Sequence, residues 1–277
     1  MILRRTSNTY TGRAQAVILD WAGTAVDFGS CAPVAAIMEV FQRRGIQVTV
    51  EQARRPMGRH KREHLRAVCR MRAVAAQWER LYGQPCSEGD VDALFAEFLP
   101  RQIECAVKFA APIPGVLDAV AAIRARGLKI GSTTGYPRDI MIPLAAEARR
   151  LGYAPDCMVC ADDVPAGRPA PWMCYHNAIA LQCYPLHTLV KIGDTPVDVE
   201  EGLNAGMWTV GLTRCGNEVG LTEAEFDALP PAIRRVKLAH SEQRLRHAGA
   251  HYVVETLADV LPVLDEIDKR LRRQERP

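Results

Sequence analysis

Short apolar runs alternate with longer stretches of helical periodicity over most of the chain. The apolar runs predict strands over Ala16–Leu19, Leu128–Ser132, Met158–Cys160, Leu189–Ile192, Thr209–Leu212 and His251–Val254. Between them, residues spaced three and four apart predict helices over Val116–Arg126, Arg138–Leu151, Pro171–Leu181 and Val197–Ala205. Three of these are closed by Gly127, Gly152 and Gly206, the punctuation expected just past a helix end. Strand and helix in strict alternation imply an α/β fold, a doubly wound parallel sheet with helices on both faces.

One section interrupts the alternation. From about Cys31 to Lys108 only helical patterns occur: Val34–Arg44, Glu51–Arg55, a long basic stretch Lys61–Tyr82, and Val91–Cys105. This is an inserted α-helical cap, expected to lie as a lid over the active edge of the sheet. The expected organisation is therefore residues 1–29 as the first part of the core, 30–108 as the cap and 109–277 as the rest of the core. Two further segments, the polar Phe226–Arg246 and the amphipathic Leu257–Leu271, are expected to be helical and carry no assigned role.

Composition narrows the class. The 277 residues are 48% apolar, enough for a buried core, and 35 basic against 32 acidic residues leave +3, too little for a general attraction to nucleic acid or membrane. No apolar run reaches the roughly 18 residues of a membrane span. Nine cysteines without framework spacing indicate free thiols in a reducing compartment, so a cytoplasmic location is expected, although the Arg and Thr of MILRRTSNTYTGR faintly suggest a transit peptide. The CxxC pair Cys157 and Cys160 falls within a predicted strand and reads as core.

In a doubly wound sheet, ligands bind beyond the carboxyl ends of the strands. The residues there are Asp20-Trp-Ala-Gly-Thr24 after the first strand and Thr134-Gly135-Tyr136 after the second. Gly167-Arg168-Pro169 follows the third, and Gly193-Asp194-Thr195 the fourth, with Asp198 further on. Each alone is ordinary turn or cap chemistry. Together they supply a carboxylate nucleophile, a hydroxyl with N–H donors, a cation and a second acid, the inventory that phosphoryl transfer needs. Asp20 and Asp194 as hard oxygen ligands suit Mg²⁺.

DWAGT, GSTTG, GRPAP and GDT, in this order and with a helical insertion after the first, resemble the four signature loops of the haloacid dehalogenase-like superfamily. The resemblance implies that Asp20 attacks phosphorus, that Thr134 and Arg168 hold the phosphoryl group, and that Asp194 binds Mg²⁺. Phosphatases of that superfamily carry a second Asp two places after the nucleophile, where this chain has Ala22. A main-chain carbonyl there can still ligate a metal, but the proton carrier for an ester leaving group is gone.

The cap offers another way to stabilise a leaving group. Met57, Lys61 and His64 are spaced to share a helix face if the helix already includes Met57, and a lysine can form an imine with a carbonyl substrate. To attack as a free amine its pKa must fall, through desolvation and nearby cations such as Arg55, Arg59 or Arg62. ARRPMGRHKREH, DWAGTAVDFG, DDVPAGRPAPWMCYHNA and VKIGDTPVDVEEGLNAGMWTVG are similar to the corresponding segments of the phosphonoacetaldehyde hydrolase family. That resemblance implies Lys61 as the imine lysine and Asp20 as the nucleophile. It further implies Asp20, Ala22 (carbonyl) and Asp194 as Mg²⁺ ligands, and Met57, His64, Thr134, Gly135, Tyr136 and Arg168 as substrate contacts in a homodimer. His64 is the candidate for activating water. Two alternatives stay open on the residues themselves: a Mg-dependent phosphomonoesterase or phosphomutase on the same fold, and a nucleic-acid binder using the basic helix Arg54–Arg72.

Overall fold

A computed structural model describes residues 12–277. The segment MILRRTSNTYTGR, with its faint suggestion of a transit peptide, lies almost wholly outside these residues. The described chain runs β1 (Ala16–Leu19), then α1 (Ala32–Gln42), α2 (Val50–Arg54), α3 (Lys61–Cys69), α4 (Arg72–Tyr82) and α5 (Glu88–Lys108). It continues with α6 (Val116–Ala125), β2 (Lys129–Thr134), α7 (Arg138–Arg150), β3 (Cys157–Cys160), α8 (Trp172–Ala180), β4 (Leu189–Gly193) and α9 (Pro196–Asn204). It closes with β5 (Trp208–Leu212), α10 (Glu223–Ala228), α11 (Pro231–His247), β6 (Tyr252–Val254) and α12 (Val260–Arg272). Among the described residues the strands form one sheet in the order β3-β2-β1-β4-β5-β6, with every pairing parallel.

Alternation along β1 explains why the sheet is covered on both sides. Val17 and Leu19 belong to a large apolar cluster with Val120, Ile123, Leu264 and Ile267 of α6 and α12. Ala16 and Ile18 point into a second cluster with Cys174, Ala178 and Met207, the first two from α8. A strand buried on both faces reads as an unbroken apolar run, as AVIL does. The amphipathic tail packs as its spacing implies, with Val260, Leu264, Ile267 and Leu271 buried on one stripe of α12.

The order reverses at β1, since β2 and β3 lie to one side of it and β4, β5 and β6 to the other. Leu19 is paired with Ser132 of β2 and with Ile192 of β4. The residues just beyond, Asp20, Thr134 and Asp194, therefore emerge together at the switch point, where such sheets bind ligands.

The five helices α1 to α5 intervene between β1 and α6 and have their own apolar interior, in which Phe41, Leu65, Val74, Leu94 and Phe98 are fully buried. The long basic stretch is two helices rather than one, broken at Arg70 and Met71. Its charge is not an open basic face: Arg62 meets Asp92 at 2.6 Å and Glu88 at 3.1 Å, and Arg66 meets Glu63 and Glu88, both at 2.5 Å. The segment Phe226–Arg246 likewise forms two helices, α10 and α11, separated at Leu229 and Pro230.

Candidate active site

The loop after β1 turns sharply enough to present Asp20 and then fold back. Gly23, at φ +87°, lets the chain pass so close to Asp194 that a Cβ would lie 2.5 Å from its Oδ2. Trp21 is fully buried behind the acid and meets Tyr153 edge to face at 5.2 Å. A small pocket of about 20 Å³ opens beside Asp20, lined also by Ala22, Ser30, Met57, Gly58, Lys61, Thr134, Gly135, Tyr136, Arg168 and Thr195. Sequence reasoning named all of these except Ser30 and Gly58 for the site or its loops.

Lys61 comes from the helical insertion and the remaining polar groups from the sheet edge. Its Nζ lies 3.7 Å from Met57 Sδ and 4.7 Å above the centroid of the Tyr136 ring. Burial pulls its pKa down to about 7, against the opposing pull of Asp20, and Arg168 is the cation that adds to the depression. This corrects the expectation that Arg55, Arg59 or Arg62 would do so, since Arg62 is engaged with Asp92 and Glu88. Helix α3 begins only at Lys61, with the His60 side chain accepting from Arg62 N. Met57 thus reaches Lys61 from a turn, with Gly58 at φ +87°, and not along a shared helix face.

Two glycines set how closely the insertion approaches the core. A Cβ at Gly58 would lie 2.4 Å from Val197 Cγ2 and 2.7 Å from Thr195 Oγ1, and one at Gly135 would lie 2.4 Å from the Arg59 carbonyl oxygen. Tyr136 adds a polar link, its hydroxyl accepting from Gln102 Nε2 of α5 at 3.3 Å, and its main-chain N–H donates to Thr134 Oγ1 at 3.1 Å.

Beneath the pocket lies a buried charge network that the sequence reading did not assemble. Arg168 meets Asp20 at 2.7 Å, Asp198 at 3.0 Å and Glu201 at 2.9 Å, and its Nη2 also donates to the carbonyl and hydroxyl of Thr133. Lys191, in the middle of β4, meets Asp198 at 2.7 Å and Glu201 at 3.5 Å. The available signals were a lysine inside the apolar run LVKIG and two acids three apart on α9.

The acids divide into two kinds. Burial alone would raise Asp198, but Arg168 and Lys191 outweigh it and hold that carboxyl below its usual range. Asp20 is raised by burial and by Asp198 despite Arg168, and Asp194 is raised well above its usual range by burial and by Asp20. Oxygens of Asp20, Asp194 and Asp198 lie within 4.8 Å of one another, so the cluster could hold a metal ion. The donor set is all oxygen, which fits a hard divalent cation. Asp198 has two cations beside it and Asp20 shares one of them, Arg168, while Asp20 and Asp194 repel each other and would gain from a divalent ion. Asp194 is aimed by two donors, Thr24 Oγ1 at 3.0 Å and the Asn217 N–H at 2.7 Å.

His64 stands apart from the other predicted residues, since it is fully buried and does not line the pocket. Its Nε2 is 2.7 Å from the Ala53 carbonyl, which can only accept, so the ring carries its proton there and Nδ1 is left buried as a bare acceptor. Burial and Lys61 keep the imidazole neutral, well below its usual pKa. The role expected for it at water bound near Asp20 finds no geometric support.

A haloacid dehalogenase-like hydrolase family model matches residues 14–206. The chain is 48% identical over 271 residues to a phosphonoacetaldehyde hydrolase-like protein of Syntrophobacter fumaroxidans, covering 98% of each. It is 46% identical to the phosphonoacetaldehyde hydrolase of Nitratidesulfovibrio vulgaris, covering 98% of this chain and 97% of that one. A crystal structure of a phosphonoacetaldehyde hydrolase-like protein from Oleispira antarctica superposes with a TM-score of 0.96 at 40% identity over the full length of both chains. With four signature loops meeting at one sheet edge and similarity that spans the chain, this protein belongs to the haloacid dehalogenase-like hydrolases and, among them, to the phosphonoacetaldehyde hydrolase family.

Proposed function

We propose that this protein hydrolyses the C–P bond of phosphonoacetaldehyde to acetaldehyde and phosphate, using Lys61 and Asp20 together. The observation that carries the reading is a buried lysine with a pKa of about 7 in the same pocket as a buried aspartate, while the position two after that aspartate is an alanine. At neutral pH about half of such a lysine is free amine, whereas an ordinary lysine is almost wholly protonated.

Lys61 Nζ attacks the aldehyde carbon, and loss of water leaves an imine whose protonated form is an electron sink. An Asp20 oxygen then attacks phosphorus while the C–P bonding pair moves into the carbon chain, giving an enamine on Lys61 and an acyl phosphate on Asp20. Protonation at carbon and hydrolysis release acetaldehyde and the lysine amine; water cleaves the acyl phosphate to phosphate and Asp20. Arg168, oriented by Asp198 and Glu201, and the Thr134 loop carry the charge of the phosphoryl oxygens. A Mg²⁺ held by Asp20, Asp194 and the main-chain carbonyl of Ala22 would add positive charge there. His64, fixed as a neutral imidazole, brings no charge to Lys61, so the amine owes its low pKa to burial and to Arg168. In this reading residues 30–108 are a cap over the core, and the active form is a homodimer.

Borohydride reduction during turnover tests the proposal. An ethyl group on Lys61, and loss of phosphate release in both Lys61→Arg and Asp20→Ala, are the expected results. Rapid hydrolysis of simple phosphate esters with no adduct on Lys61 would overturn it in favour of a phosphomonoesterase.

A further inference from the structure

The insertion also meets the core through Arg54, at the end of α2. Its Nη1 donates to the carbonyl oxygens of Gly29 at 2.7 Å and Ser30 at 3.2 Å and to Asn217 Oδ1 at 3.2 Å. Its Nη2 donates to the Gly220 carbonyl at 3.0 Å and lies 3.7 Å from Cys31 Sγ. Asn217 returns a bond, Nδ2 donating to the Arg54 carbonyl at 3.3 Å. One side chain of the insertion thereby gathers the link leaving the first loop and the loop that follows β5. Both loops are shaped to receive it: a Cβ at Gly220 would lie 2.7 Å from Arg54 Nε, and one at Gly29 would lie 2.0 Å from the Leu221 carbonyl oxygen.

The second of these loops touches the reaction site from its other side. The N–H of Asn217 holds Asp194, and a Cβ at Gly216 would lie 2.6 Å from Asp194 Cβ. Asn217 therefore grips Asp194 with its main chain and Arg54 with its side chain. Arg54 shares a short segment with Met57, Gly58 and Lys61, and Gly58 is fitted against Thr195 and Val197 with no room to spare. Movement of α2 off the core must carry Lys61 with it.

We propose that Arg54 and Asn217 form a latch that seats the insertion on the core, and that both are positioning residues which bring Lys61 to Asp20. The inference rests on the reading of Lys61 and Asp20 as partners in one reaction. The acceptors of Arg54 are carbonyl and amide oxygens, with no carboxylate among its bonds, so the contact acts by direction and at short range. A planar fork can satisfy the Gly29 and Gly220 carbonyls at once, whereas a single ammonium cannot span them.

The test uses Arg54→Met, Asn217→Ala, which keeps the N–H to Asp194, their double variant, and Arg54→Lys. Ligand-free protein is treated with trinitrobenzenesulfonate, and modification of Lys61 and of Lys191, buried in β4, is followed by peptide mapping. We expect Lys61 to react about ten-fold faster in Asn217→Ala, the equivalent of losing one charge-assisted bond, faster still in Arg54→Met, which loses the carbonyl bonds as well, and no faster in the double variant than in Arg54→Met. Lys191 stays protected, and Arg54→Lys is intermediate. Phosphate release from phosphonoacetaldehyde falls about ten-fold in kcat/KM in the same variants. Unchanged reactivity of Lys61, or single effects that multiply in the double variant, would overturn the latch. Where Arg54→Met exposes Lys191 as well, Asn217→Ala carries the test, because the arginine then keeps its carbonyl partners. Labelling needs no substrate, so a protein that labels as expected but does not hydrolyse phosphonoacetaldehyde refutes the proposed reaction and leaves the latch standing.

Discussion

Replacing Met57 by Glu places a carboxylate where a thioether now lies 3.7 Å from Lys61 Nζ. Burial holds the lysine at about 7. An ordinary lysine titrates near 10.4, so at pH 7 roughly one in 2,500 is free amine instead of about half. A unit charge about 4 Å away contributes about 4 kcal/mol at an effective dielectric constant near 20, close to 3 pKa units. That is enough to cancel the depression. The assay is borohydride trapping of the Lys61 imine as a function of pH, with Met57→Gln as the control of matched shape. Because the amine must be uncharged to attack, trapping by the unmodified protein and by Met57→Gln rises with pH through about 7. In Met57→Glu the rise moves up by at least about 2 units, a deficit of at least about 50-fold at pH 7 that closes at high pH. Coincident profiles for Glu and Gln would refute the assignment of the rise to Lys61. The same depression has a sign in stability: between about 7 and 10.4 the unfolded chain holds a proton that the folded one lacks, so folding gains as pH climbs through that window.

Three other outcomes follow from the site. Asp20→Asn should release no phosphate yet still allow reductive trapping of substrate on Lys61, because imine formation does not use the aspartate; failure to trap would mean the two residues are not separable. Asp20 and Asp194 are raised by burial, so apo protein should lose stability as pH rises from the carboxylate range through their folded pKa values. Mg²⁺ should reverse that loss, by about 2.7 kcal/mol at 100 times its dissociation constant, with a thermal shift that fades at low pH; a shift independent of pH would place the ion elsewhere. Gly135→Ala drives a methyl group against the carbonyl oxygens of Gly58 and Arg59, which are backbone and cannot turn aside. It should lower kcat/KM on the order of 100-fold with little change in melting temperature.

Local patterns located the sheet well. The predicted strands differ from those observed by no more than two residues at either end, because a strand buried on both faces announces itself as an apolar run closed by Gly or Asp. The loops at the switch point were legible for the same reason, since order along the chain and position after a strand decide where they go. The break at Arg70 and Met71 was not, because basic helical periodicity continues across it, although the start of the stretch at Lys61 was. The network of Arg168, Lys191, Asp198 and Glu201 depends on neighbours far apart in sequence, and only their convergence shows which acid has two cations beside it. His64 shared a plausible spacing with Lys61, yet its ring turned to the Ala53 carbonyl, a partner that spacing cannot reveal.

The two reactive groups belong to different halves of the molecule, Lys61 to the helical insertion and Asp20 to the sheet edge. The nucleophilicity of the lysine comes from burial at their junction and is not carried by the helix itself. Under the proposed function, a stray aldehyde that reached Lys61 while the halves were apart would meet an amine almost wholly protonated at neutral pH and would condense slowly. The protein is thereby shielded from poisoning by the very class of compound it consumes, and only an aldehyde enclosed between the halves encounters a reactive amine.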